Sequence, residues 1–300
     1  MPDQHRDFYG ALPFVLVGTV DGEGWPWASI VPGRPGFITS PDPRTLDIGA
    51  PPLHGDPLRG TLKGGVHIGL LGIEPHTRRR NRMTGRVASV RGDGFTIAVN
   101  RTFGNCTQYI QTRSVELGPD IDGPRREREV FRSDRFDDDV CRIVERTDTL
   151  FVASAHLDEN EPDAQGADVS HRGGKPGFVR IEDRRTFAFP DFSGNNHFNT
   201  VGNILLNPKA GFLFIDFESG DLVYLTGDAE IVWSGAEVDG FRGAQRLIRF
   251  HAEQVIRVAN ALPLRFAFGE YSPLLKETGS WELDADTGEL KALRHKQLRQ

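Results

Sequence analysis

Gly211-Phe-Leu-Phe-Ile-Asp-Phe217 is a short apolar run bounded by turn residues, and a related run, Gly69-Leu-Leu-Gly-Ile-Glu74, stands 142 positions earlier. Two further pairs keep nearly the same offset: Thr84-Gly85 with Thr226-Gly227 at 142, and Pro35-Gly36-Phe37 with Pro176-Gly177-Phe178 at 141. Each match is trivial alone. Three in the same order predict an internal repeat, and a repeat reassigns the whole fold. The competing explanation is that turns rich in glycine and proline look alike in two unrelated β domains.

Working outward from these runs, 34 glycines and 19 prolines cut the chain into short β-type segments. Among them are Phe14–Thr19, Gly94–Val99 and Leu150–Ser154. Asp21–Pro26 and Glu218–Asp221 carry the residues that strand reversals need. Many short strands with frequent turns predict a mainly β protein, a β-barrel with a few short helices. Ser133–Glu145 reads as an amphipathic helix opened by Ser133, with Phe136, Val140, Ile143 and Val144 on one face. The stretch 243–258 fits a helical turn or a strand, with strand favoured by the alternation of Phe250, Ala252, Gln254 and Ile256. Polar residues around 115–130 predict a connector. The expected division is a first module over 1–115, a second over 130–265 and a C-terminal extension over 266–300, whose last eleven residues read as a solvated tail.

Composition narrows the function. With 38% hydrophobic and 26% charged residues in 300, the chain can bury two ordinary cores. A formal charge of −6 argues against nucleic-acid binding. No apolar run is long enough for a membrane helix, and the first ten residues lack a signal-peptide pattern, so cytoplasm is the default compartment. Cys106 and Cys141 make neither a disulfide framework nor a zinc motif, and the scattered histidines accompany no hydrolase or metalloprotease motif. No metal site is expected.

Residues 168–204 concentrate cations, amides and hydroxyls around glycines: His171, Arg172 and Lys175, then Ser193, Asn195, Asn199, Thr200 and Asn203. A phosphate-bearing ligand needs such donors, although the same residue types also build turns and cap helices. Arg78, Arg80 and Arg82 would share one face of a strand, either meeting an acidic ligand or guarding a solvated edge. Cys106 reads as an exposed redox thiol or as a small buried hydrophobe.

The order strand, turn, Pro-Gly-Phe strand, polar loop, short helix ending at Asn207-Pro208, then Gly211–Phe217 and Leu225-Thr-Gly-Asp-Ala-Glu-Ile231 resembles the pyridoxamine 5′-phosphate oxidase-like FMN-binding split barrels. The resemblance covers about 145–235, with 10–113 as a diverged copy, and Gly104–Arg113 resembles a segment of the tandem form. It implies two split barrels packed as a pseudo-dimer, FMN at their interface, and a further homodimer as an option. The family's phosphate loop falls near Phe198, Asn199 and Thr200, where two of its usual cations are missing, so Arg172, Lys175 or an arginine of the other half would replace them. Phe178 lies in the segment whose backbone would contact the flavin ring, and Phe192, Phe198 or Trp233 would cover a ring face. In the first module the equivalent loop, Pro51–Gly60, contains Asp56 and prolines, so it should hold phosphate less well. The implied function is an FMN-dependent oxidoreductase using a small-molecule substrate and a reduced nicotinamide or other redox partner. The alternative is a non-catalytic flavin or nucleotide carrier or sensor, since fold alone fixes no reaction.

Overall fold

The computed structural model describes residues 1–158, 160, 165–194 and 199–281. The elements run α1 (Asp3–Gly10), β1 (Phe14–Val20), β2 (Pro26–Pro32), β3 (Ile38–Thr39), β4 (Thr45–Ile48), α2 (Leu58–Thr61), β5 (His67–Glu74), β6 (Arg79–Arg91) and β7 (Gly94–Asn105). Next come β8 (Arg113–Leu117), β9 (Val130–Ser133), α3 (Asp138–Arg146), β10 (Thr149–His156), β11 (Gly166–Gly173), β12 (Arg180–Ile181) and β13 (Thr186–Phe192). The chain continues through α4 (Asn199–Leu206), β14 (Lys209–Ile215), β15 (Leu222–Val232), α5 (Ala236–Asp239), β16 (Ala244–Val258) and β17 (Leu264–Phe268).

The first sheet is ordered β2-β1-β5-β6-β7-β4-β3 and the second β11-β10-β14-β15-β16-β13-β12. Shifting every label by nine converts one order into the other. All pairings are antiparallel. The architecture is mainly β, two split barrels packed as a pseudo-dimer. No helix among the described residues is long and apolar enough to cross a membrane.

The repeated tripeptides and dipeptides occupy equivalent places. Gly36 and Gly177 adopt φ of +96° and +83°, values open to glycine at little cost. Thr84/Gly85 and Thr226/Gly227 each mark a register shift in the long strand of their sheet. At Gly69 a Cβ would collide with the Ala167 carbonyl oxygen (2.5 Å), and at Gly211 with that of Pro26. Each module therefore presses a glycine strand against the backbone of the other, β5 on β11 and β14 on β2.

Three cores result. An aliphatic one inside the first sheet is built on Val15, Val17, Ile68, Leu70 and Ile97. An aromatic one inside the second packs Phe187, Phe189, Phe212, Phe214 and Phe250. The third is the seam, where Phe14, Leu16, Ile30 and Leu71 meet Phe151, Val169, Leu213, Ile215 and Tyr224. Strands such as β1 and β14 are covered on both faces, which is why their sequences are continuous apolar runs with no polar alternation.

Two local expectations change. Ser133 ends β9, and α3 begins only after Asp137, whose carboxylate accepts from the Val140 backbone N–H as its cap. The stretch 243–258 is the strand β16, as the alternation favours. Position 115 lies within β8 and 265 within β17, and these two strands pair with each other. Residues 282–300 of the C-terminal extension lie outside the described residues.

Candidate functional site

Arg80 and Arg82 stand two apart on β6, so both project to the same side, toward β11 of the second module. There Arg82, almost fully buried, donates through Nη1 to Asp168 (3.2 Å) and through Nη2 to the Ser170 hydroxyl. Ser170 Oγ also bonds Thr200 Oγ1 (2.8 Å) near the start of α4. Two residues farther along β11, Arg172 Nε lies 3.2 Å from Asp191 Oδ1 on β13, and Arg246 Nε lies 3.4 Å from the other carboxylate oxygen. Arg80 donates to the Cys106 carbonyl oxygen and has no carboxylate partner among the described residues. Three of these guanidinium groups thus meet two carboxylates, and Arg80 stands beside them.

His171 sits among them, 3% exposed, with its ring edge-on to Phe151 at 5.8 Å. Burial, reinforced by Arg80, Arg172, Arg113 and Arg82, holds its pKa well below the ordinary value, so the ring is neutral and offers one donor and one acceptor. Neither ring nitrogen, nor Arg172 Nη2, has a hydrogen-bond partner among the described residues. Burial also pushes Arg80 down, to about 9, with Arg82 and Arg172 adding repulsion. At pH 7 it stays a cation. The cluster borders a crevice lined by Arg80, Gln108, Tyr109, His171, Asp191 and Phe192 at the junction of the modules.

The crevice is tight. Its volume is 30 Å³, about one water, where ligand pockets run to roughly 300–1,000 Å³. Tyr109, at φ +60°, packs on Phe192 with ring centroids 5.1 Å apart. The side-chain amide of Gln108 fills the space above Gly194. A tricyclic ring has no room in this arrangement, contrary to the expectation of an open flavin slot at the seam, because apolar side chains of both modules close the rest of it.

Of the residues singled out in the sequence, His171, Arg172, Arg80, Arg82, Phe192, Ser193 and Thr200 come together here. The others go elsewhere. Arg78 lies in the turn before β6, not on its face, and donates to the Ile110 carbonyl oxygen (3.0 Å) and to Glu270. Lys175 donates to the Thr278 carbonyl oxygen, and Phe178 is buried in the aromatic core. Asn203 donates to Ser154 Oγ (3.1 Å), a bond that anchors α4 on β10. Asn199 opens α4 but does not line the crevice. Asn195, His197 and Phe198 lie outside the described residues. Trp233 is half exposed beneath Arg246. Cys106 is an exposed free thiol. Arg82's partner Asp168, together with Asp191, Arg246 and Gln108, escaped the sequence reading, since pairing across sheets leaves no periodic signal. Among the described residues, no three His, Cys, Asp or Glu side chains cluster as metal ligands.

The first module's counterpart is Asp56. Its buried carboxylate accepts from Ser29 Oγ (2.6 Å), the Leu58 backbone N–H (2.8 Å) and Tyr224 Oη (3.1 Å). Burial raises its pKa to about 6 against these hydrogen bonds, which lower it. The folded value exceeds the ordinary 3.8, so the folded chain holds the proton more tightly. That stabilisation is full below pH 4 and is lost as pH rises through 6, up to about 3 kcal/mol. Urea titrations from pH 4 to 7 should therefore show a declining difference between wild type and Asp56→Asn; a flat difference would refute the assignment.

Comparison with known proteins adds the lineage. Residues 136–272, from the approach to α3 through β17, match the pyridoxamine 5′-phosphate oxidase family. Among solved structures, a point variant of HupZ from Group A Streptococcus is 17% identical over 40% of this chain and 98% of that one, at a TM-score of 0.32. A provisionally named pyridoxamine 5′-phosphate oxidase from Lactobacillus delbrueckii is 12% identical over 41% and 94%, also at 0.32. The Bacillus subtilis inhibitor of motility MotI/DgrA is 9% identical over 80% and 87%, at 0.23. No curated protein matches. Over residues 136–272, its second module, the chain is therefore similar to the pyridoxamine 5′-phosphate oxidase family.

Proposed function

We propose that the chain binds a phosphate-bearing ligand of the flavin mononucleotide type, its anionic end held between the modules by Arg80, Arg172 and His171. One observation carries this reading: Arg80 lies beside the Arg82–Asp168 and Arg172–Asp191 pairs with no carboxylate of its own among the described residues, and both ring nitrogens of His171 and Nη2 of Arg172 lack hydrogen-bond partners there. Unbalanced buried charge is costly unless something neutralises it, and an oxyanion does so with several charge-assisted bonds. The residues fit the phosphate end of FMN. They do not leave space for its ring, so the Gln108–Tyr109 segment would have to move aside on binding. The internal repeat, the cytoplasmic setting and a reduced nicotinamide or other redox partner belong to the same proposal.

When bound, FMN would supply hydride or electron transfer, and a small-molecule oxidoreductase remains the leading activity. The alternative is a carrier or sensor, which needs the crevice to open for the ligand alone and not for a substrate beside it. Titration with FMN followed by flavin fluorescence tests the binding. Arg172→Met should weaken it about 10- to 100-fold, the worth of a charge-assisted hydrogen bond. Lys175→Met and Arg78→Met, whose side chains are engaged elsewhere, should bind FMN like wild type. Equal affinity in Arg172→Met would remove the proposed anchor. Bleaching of bound flavin by NADH or NADPH would favour the oxidoreductase over the carrier.

A further inference from the structure

The pseudo-dimer offers two places for one kind of site, and their residues can be matched through the sheet register. In the first module Ala28, Gly18, Gly69 and Thr84 form one row across four strands; in the second, Val169, Ala153, Gly211 and Thr226 form the same row. One residue beyond the row stand Ser29 and Ser170. Two before its end stand Arg82 and Tyr224. The short helices match as well, because Thr61 bonds Thr19 and Asn203 bonds Ser154, each one residue past the row.

Each site thus combines a serine from one module with a side chain from the other. At the second-module site Ser170 meets Arg82, with Arg80, Arg172 and His171 beyond. At the first-module site Ser29 and Tyr224 converge instead on Asp56, five residues before Thr61. Five residues before Asn203 is Phe198, in the loop the resemblance assigns to phosphate.

We infer that, at neutral pH, the chain takes one anionic ligand and not two, because the tethered carboxylate of Asp56 already accepts from the donors of the first-module site. This rests on the proposed anion site at the second module. A helix-capping role alone accounts for the Leu58 N–H bond. It leaves unexplained why Asp56 is 3% exposed and why a tyrosine from the opposite module donates to it. All the donors named are neutral, as suits one carboxylate charge, and Trp27 stands where the other site has Asp168.

Equilibrium dialysis of wild-type protein against saturating FMN should give one FMN per chain. Two per chain would overturn the inference. No binding would overturn the proposed anion site instead, and a second experiment then decides the inference without flavin. Asp56→Gly removes the tethered anion but keeps Ser29, Tyr224 and the Leu58 N–H, so sodium formate should raise its melting temperature by roughly 3 °C or more over equal sodium chloride, with no such rise in wild type. If the variant does not fold in chloride, the readout is its refolding yield with formate. An equal response of variant and wild type, or no recovery by formate, would overturn the occupied pocket.

Discussion

Gly211→Val should abolish folding at 25 °C. A Cβ at this position meets the Pro26 carbonyl and the Trp27 Cα, both backbone, so no rotamer relieves the clash and β14 must part from β2. Overpacking inside one well-filled core costs about 1–3 kcal/mol, and here the seam core as well as the strand contact is forced open. A loss of at least about 4 kcal/mol is expected, a large share of a typical domain's stability. Gly22→Ala, where a Cβ meets nothing within 4 Å, should change the urea midpoint negligibly. A soluble Gly211→Val protein with a wild-type midpoint would show that the two modules do not touch as described.

Asp168→Asn should be the second most damaging substitution. Arg82 comes from the first module and Asp168 from the second, with side chains 1% and 8% exposed, so their pair bridges the modules in a dry setting. Removing the acid strands a buried guanidinium, for which about 3–5 kcal/mol is the usual loss. Adding Arg82→Met to Asp168→Asn should recover most of that loss, because an apolar side chain of similar length carries no charge to solvate. A double variant no more stable than Asp168→Asn alone would mean the damage arises from something other than the stranded charge.

The fold was legible because its devices are local. Gly36 and Gly177 need a positive φ, Gly85 and Gly227 sit at bulges, and Gly69 and Gly211 allow backbone contact, so each constraint leaves a glycine at a fixed place in both halves. The start of α3 was misplaced because Ser133 and Asp137 both qualify as caps, and pairing of β9 with β16 decides between them. The site was only partly legible. His171 and Arg172 stand next to each other in a polar block, but Lys175 and Arg78 look equally suited by type and are drawn off by carbonyls that only the tertiary structure brings near. Asp191 and Arg246 come from β13 and β16, and no spacing rule connects them to β11.

The pairing of β8 with β17 ties the segment leaving the first barrel to the segment leaving the second. Together with the seam, it holds the halves in register whether or not the intervening loop is short. Residues 118–129 are thereby relieved of duty as a tether and serve instead as packing, with Ile121 in the seam core and Arg125 on the Pro32 and Pro51 carbonyls. Selection there should act on those contacts, and an insertion between them would leave the barrels' embrace unchanged.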